Sequence, residues 1–222
     1  MIDYQLIRSS RRTLSISVNG EGALVVRAPM RMSVREIEAF LVQKQEWIAQ
    51  KQALAKQKGQ KRDEAQLTEG AVIPFWGGGL IVHFEAVKTA SDDGRTLVLP
   101  MDADPPKQAL KWRRRRAEEL LAPRVAYWAE KTGLVPRKIS YGNAATRWGS
   151  MNSNGALRLN TALIHLPLYM VDYVIVHELS HMQHPDHSPA FHACVRSILP
   201  QADAIRRQMK AFSWMITLWK EE

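Results

Sequence analysis

Residues Pro167 to Pro185 constrain the fold of this chain more than any other stretch. Pro167 stands where a helix can start, Leu168 to Val176 are mostly apolar, and the run passes straight into His177-Glu178-Leu179-Ser180-His181. Proline at a helix start followed by an apolar run predicts a buried helix. Residues four apart on a helix share a face, so His177 and His181 point the same way and Glu178 lies on the adjoining face. Two imidazoles one turn apart can hold one Zn2+ at about 2.0–2.1 Å from each nitrogen. A helix that buries histidines only for packing has no need of the glutamate, whose charge is costly in a core unless paired. The H-E-x-x-H spacing is that of zinc hydrolases, in which the glutamate takes a proton from water.

Pro185 disfavours helical geometry at His184 and donates no backbone hydrogen bond, so the helix is predicted to stop by about His184. Ser188 and Pro189 then supply an N-cap and a first helical residue for a new helix through Leu199. This reversal can return a third ligand over the metal, and His184, His187 and His192 compete for the place. His184 lies at i+7 from His177, about 10 Å along the axis, and three nearly collinear side chains serve a tetrahedral ion poorly. His187 follows the turn and is favoured, with His192 behind it, because an open tetrahedral site needs a ligand from off the helix. Asp186 reads either as a carboxylate orienting an imidazole or as a turn residue.

Other classes are excluded by composition. The single cysteine, Cys194, rules out an internal disulfide framework and a Cys-based zinc finger, so a bound metal must take His and carboxylate ligands. Cys194 itself falls among apolar helical neighbours and reads as packing. With 222 residues, 45% apolar and 24% charged, the chain has the makings of one ordinary domain or two small ones. No apolar run approaches the ~18 residues that cross a bilayer, and the N-terminus lacks a signal peptide's apolar core. The expectation is a cytoplasmic protein.

Two regions are expected, a β-rich N-terminal region with one long helix over 1–104 and a catalytic region over 105–222. In the first, Leu14, Ile16 and Val18 alternate with polar residues before Asn19-Gly20, which predicts a hairpin into Ala23–Val26. Ser33 and Glu36 have capping-box spacing, and Ile37, Phe40, Leu41, Lys44 and Ile48 share a helical face. Residues 51–66 lose that stripe, so the helix is expected to fray there into a solvated connector. Strands are predicted around Leu80–Phe84 and Leu97–Leu99, with His83 on the face opposite Val82 and Phe84 and given no functional role.

Beyond Pro105-Pro106, Leu110, Arg114, Ala117, Leu121, Val125 and Trp128 form a helical stripe in which Pro123 is a kink or a new start. Short strands are predicted at 138–141 and 156–159. A terminal helix is predicted with Ile205, Met209, Phe212, Ile216 and Trp219 facing inward.

Thirty-one Lys and Arg against 22 Asp and Glu give a net charge of +9, which permits nucleic-acid binding without establishing it. Arg113, Arg114, Arg115 and Arg116 are the candidate contacts. Four consecutive residues on a helix point in four directions, and Glu118 and Glu119 lie at i+4 from Arg114 and Arg115. A solvated helix surface is therefore the competing reading.

Together these residues resemble the YgjP-like metallopeptidases, a family related to the SprT-type zinc proteases among the H-E-x-x-H zincins. Arg147-Trp148-Gly149-Ser150, Gly155, Leu159-Asn160, Pro167, Asp172-Tyr173 and the stretch His177 to Phe191 carry the resemblance. It implies an α+β zincin-like fold, a peptide or protein substrate, zinc ligands at His177, His181 and His187, and Glu178 as catalytic base. By the same resemblance Ala156–Asn160 is the candidate sheet edge for pairing with substrate. Met151 stands where the family usually has cysteine, and His192 where tryptophan is expected. Arg147, Asn160 and His165 are candidates for substrate binding or oxyanion stabilisation, with packing or surface roles equally open. Asp172, well round the helix from the metal face, reads as structural. Three functions follow: a zinc peptidase, a zinc hydrolase of another amide, and a nucleic-acid-binding protein with a structural metal site.

Overall fold

The computed structural model describes residues 2–219, apart from the side chains of Arg62 and Glu64. It is an α+β protein whose described residues form six α-helices and three small sheets. The chain divides into two compact units, Met1–Asp63 and Glu64–Glu222.

In the first unit, strands β1 (Gln5–Ser9), β2 (Ser15–Val18) and β3 (Leu24–Pro29) form a sheet of order β1-β3-β2. The β2–β3 pair is antiparallel, as the alternation predicts. Its connection is an Asx-type turn in which the Asn19 carboxamide oxygen accepts from the amides of Glu21 and Ala23. Helix α1 (Val34–Gln43) starts at the predicted capping box, with Ser33 and Glu36 bonded reciprocally. Ile37 and Leu41 bury against Leu24, Val26 and Ala28.

The chain breaks at Lys44 and resumes as α2 (Gln45–Glu64). Residues 51–64 are therefore helical, against the expected fraying. Lys, Gln, Ala and Glu are strong helix formers whether or not a stripe faces a core, and loss of amphipathicity marked solvation rather than loss of helix.

The second unit opens with β4 (Val72–Phe75), β5 (Gly78–Glu85), β6 (Ser91–Asp92) and β7 (Thr96–Pro100), ordered β4-β5-β7-β6. Helix α3 (Pro105–Thr132) starts at the Asp104 N-cap, runs through Pro123, and ends at Gly133 in the left-handed conformation. Leu80, Val82, Leu97 and Leu99 share one core with Ala109, Trp112, Leu121 and Val125 of that helix. Strands 72–100 and the helical region thus belong to one unit, and the division falls at 63/64 rather than 104/105. Alternating strands show which face is buried and not which later element covers it.

The third sheet comprises β8 (Lys138–Gly142), β9 (Gly149–Met151) and β10 (Ala156–Asn160), in the order β8-β10-β9. β10 pairs parallel to β8 and antiparallel to β9, so it is the central strand. The expected edge at Ala156–Asn160 is corrected: the short β9 occupies that side, and the outer edge belongs to Gly149–Met151. A 3-10 turn over Thr161–His165 then leads into α4 (Leu168–Ser180), followed by α5 (Pro189–Ile198), α6 (Ala202–Met209) and a 3-10 segment, Lys210–Thr217. Met170, Val171, Val174, Ile175 and Leu179 sink α4 into the core. Among the described residues no helix is long and apolar enough to cross a membrane.

Candidate metal centre and active-site cleft

α4 ends at Ser180 with His181 as its C-cap, so the helix stops one turn short of the expected limit while His177 and His181 keep their i, i+4 relation. The following turn carries Pro185, and Ser188 accepts from the Phe191 amide at the N-cap of α5 with Pro189 at its first turn. That reversal returns His187: one nitrogen from each of His177, His181 and His187 lies within 4.8 Å of the others. The His187 and His177 Nε2 atoms are 3.3 Å apart. The ring of His192 sits 6.3 Å from that of His187, and neither His184 nor His192 belongs to the convergent group.

His184 contributes its backbone instead. Its carbonyl lies 3.1 Å from His181 Nδ1, and an N–H donated there leaves Nε2 as the unprotonated atom facing the cluster. Asp186 accepts from the Ser188 amide at 3.2 Å, the turn role of its two readings. The fit to a divalent metal rests on this donor set: three imidazoles, one held in the required tautomer by a carbonyl. Burial and the neighbouring imidazoles push the His177 pKa down to about 3, and burial lowers that of His181, so both stay neutral, as ligation requires.

Phe191, fully buried, is the floor of the cluster. Its ring stacks on His181 at 4.5 Å between centroids and lies 4.9 and 5.0 Å from those of His177 and His187. This role was not foreseen. The signal was its place one turn into a helix capped by Ser188, which aims it back toward the preceding helix. Tyr173 was missed as well, although it lies at i−4 from His177 on the same stripe and lines the cleft.

Glu178 is 7% exposed and lines the same cleft, a cavity of about 420 Å³, with the three histidines, Arg147 and residues 148–151 of the β9 region. Burial raises its carboxyl to about 7, while a hydrogen bond from the Met151 amide and the charge of Arg147 oppose the rise. A group balanced there can gain and lose a proton near neutrality. Gly149 makes this approach feasible: a Cβ on it would lie 2.8 Å from Glu178 Cγ. Asn160 donates to the carbonyls of Ala144 and Arg147 at 2.8 and 2.9 Å and so shapes the loop before β9 rather than facing the cleft. His165 is buried elsewhere, bonded to the Pro74 carbonyl and edge-on to Trp219. Asp172 forms a bidentate pair with Arg124, as a structural residue, and half-buried Cys194 packs near Ser180.

The arginine run is neither the candidate nucleic-acid patch nor wholly the solvated surface that competed with it. Arg113 is fully buried and donates to Thr161 Oγ1, the Leu218 carbonyl and Asn143 Oδ1. Arg114 pairs with Glu118, Arg115 with the Ala90 carbonyl, and Arg116 with Asp92 and Glu119. Four successive residues sweep the whole helix circumference, so some must meet the interior of a helix packed on a core.

The crystal structure of the metallopeptidase zymogen of Pyrococcus abyssi abylysin is similar over 41% of this chain and 93% of that one, with 19% identity and a TM-score of 0.38. No curated protein matches the chain. The YgjP-like metallopeptidase domain matches residues 12–212. With nearly the whole sequence matched, the chain belongs to the YgjP-like metallopeptidase family.

Proposed function

We propose that this family member is a zinc-dependent peptidase in which His177, His181 and His187 hold the metal and Glu178 is the general base. The observation that carries the reading is the convergence of three imidazole nitrogens within 4.8 Å, in a cleft that Glu178 also lines. Zinc, when bound, supplies Lewis acidity that acidifies water and polarises a carbonyl. Glu178 takes a proton from the attacking water and hands it to the leaving amine, with a carboxyl already near neutrality.

The edge of β9 orients the substrate. Trp148 and Asn152 turn toward β10, where the Trp148 carbonyl accepts from the Asn160 amide and the Asn152 amide donates to the Ala156 carbonyl. By alternation Gly149 and Met151 face outward. An extended peptide can pair with the backbone groups of Gly149 and the carbonyl of Met151, whose amide is already given to Glu178, gaining affinity with little side-chain selectivity.

The test combines metal analysis with peptide cleavage. Glu178→Gln is expected to keep its zinc and lose cleavage by about 10²–10⁴-fold, the usual contribution of a general base. His187→Ala is expected to lose most of its zinc. Full stoichiometric zinc in His187→Ala overturns the ligand set, and undiminished cleavage by Glu178→Gln overturns the base.

A further inference from the structure

A second cavity, of about 300 Å³, adjoins the cleft and shares Arg147, Gly149 and Ser150 with it. Arg158, from central strand β10, also lines it. Both arginines are exposed, and no carboxylate among the described residues forms an ion pair with either guanidinium. Glu178 is the one acidic residue lining either cavity among the described residues. This differs from the arginine run on α3, where every guanidinium has a partner within the protein.

The position of Arg158 is built. Its guanidinium lies over Gly142 of β8, where a Cβ would come within 2.5 Å of Nη2 and 2.7 Å of Nε. Gly142 has no positive φ that would require glycine; its missing side chain leaves the space in which the planar group rests. With its Nε–Nη2 edge set against Gly142, the guanidinium is held in one direction and leaves its Nη1 side to meet a carboxylate oxygen.

We propose that Arg147 and Arg158 form a subsite selecting peptides that carry an acidic side chain near the bond to be cut. The proposal rests on the peptidase reading and deepens it by naming a substrate class. Backbone pairing along β9 would bring a substrate past Gly149 and Ser150, which line both cavities, so one of its side chains enters the arginine pocket. Two cations in a confined pocket match one carboxylate. A nucleic acid needs cations repeated along its phosphates, and the arginines of α3 are already engaged.

The test uses zinc-loaded Glu178→Gln protein and fluorescein-labelled octapeptide pairs carrying a single Glu or Gln at successive positions, read by anisotropy. At one or two adjacent positions the Glu peptide is expected to bind about tenfold tighter, the scale of a charge-assisted contact. Adding Arg158→Gln should bring that ratio to near one, Arg158→Lys should retain part of it, and Gly142→Ala should reduce it by displacing the guanidinium. Equal binding within every pair, no binding of any peptide, or a preference that survives Arg158→Gln overturns the proposal. An oligothymidylate that outcompetes the Glu peptides also overturns it, in favour of nucleic acid. If the unsubstituted protein cleaves none of the peptides while the Arg158-dependent preference persists, the subsite stands and the peptidase reading falls.

Discussion

Two polar runs dominate the sequence, the arginines at 113–116 and the histidines between 177 and 187, and the fold treats them in opposite ways. The histidines are spaced by one turn and by a reversal, so three rings converge and face a cleft. The arginines are consecutive, so their side chains diverge and each finds its own partner. Spacing relative to the helical repeat, rather than density of charge, decides whether like residues act together.

The strongest test of this contrast is Arg113→Ala. It opens a void and strips Thr161, Asn143 and the Leu218 carbonyl of a donor, and is expected to cost about 3 kcal/mol in urea unfolding. A loss below about 0.5 kcal/mol, the range of ordinary surface changes, would break the comparison, because the arginine run would then be ornamental even where it is buried.

Next in size is Gly149→Ala. The added methyl group displaces Glu178 by a fraction of its own reach, and peptide cleavage is expected to fall about 100-fold, the effect of a misplacement on the order of 1 Å. Zinc content should be unchanged, and retained cleavage would show that the carboxylate tolerates a different position.

His165 sharpens the same point through pH. Burial, with the charge of Arg113 nearby, pushes its pKa down to about 3 against an ordinary 6.5. Above about 6.5 the ring is neutral whether the chain is folded or not. As pH falls below that, the unfolded chain takes up a proton that the folded one refuses until about 3, so this stability is full above the unfolded pKa and drains through the acid window. The wild type should lose up to about 1.4 kcal/mol per pH unit more than His165→Gln across it; parallel curves would exclude a buried neutral ring. Smallest of all, Arg114→Ala removes an exposed pair with Glu118 and should change stability by less than about 0.5 kcal/mol, which calorimetry can bound.

Local signals were the legible ones. The Ser33–Glu36 capping box, the Ser188 cap, the strands on either side of Asn19 and the His177–His181 pair could be read because each depends on residues within a turn or two of one another. The convergence of His177, His181 and His187 was legible for the same reason, with His187 singled out by Pro185 and the need to leave the helix axis. Features set by distant partners were not. That β10 is central depends on a three-residue strand with no alternation of its own, and the placement of strands 72–100 with the second unit depends on which helix covers them. Gly142 and Gly149 acquired roles only when Arg158 and Glu178, 16 and 29 residues away, were laid against them.

The bare backbone at Gly149 acts as a gauge for one functional group: Glu178 rests where even a methyl substituent on the facing strand would intrude. A copy of this gene drifting to alanine at that codon would keep every histidine and its whole metal signature and, on the role proposed for Glu178, would lose about 100-fold in cleavage. On that proposal, one letter outside the metal motif would separate an efficient peptidase from a feeble one.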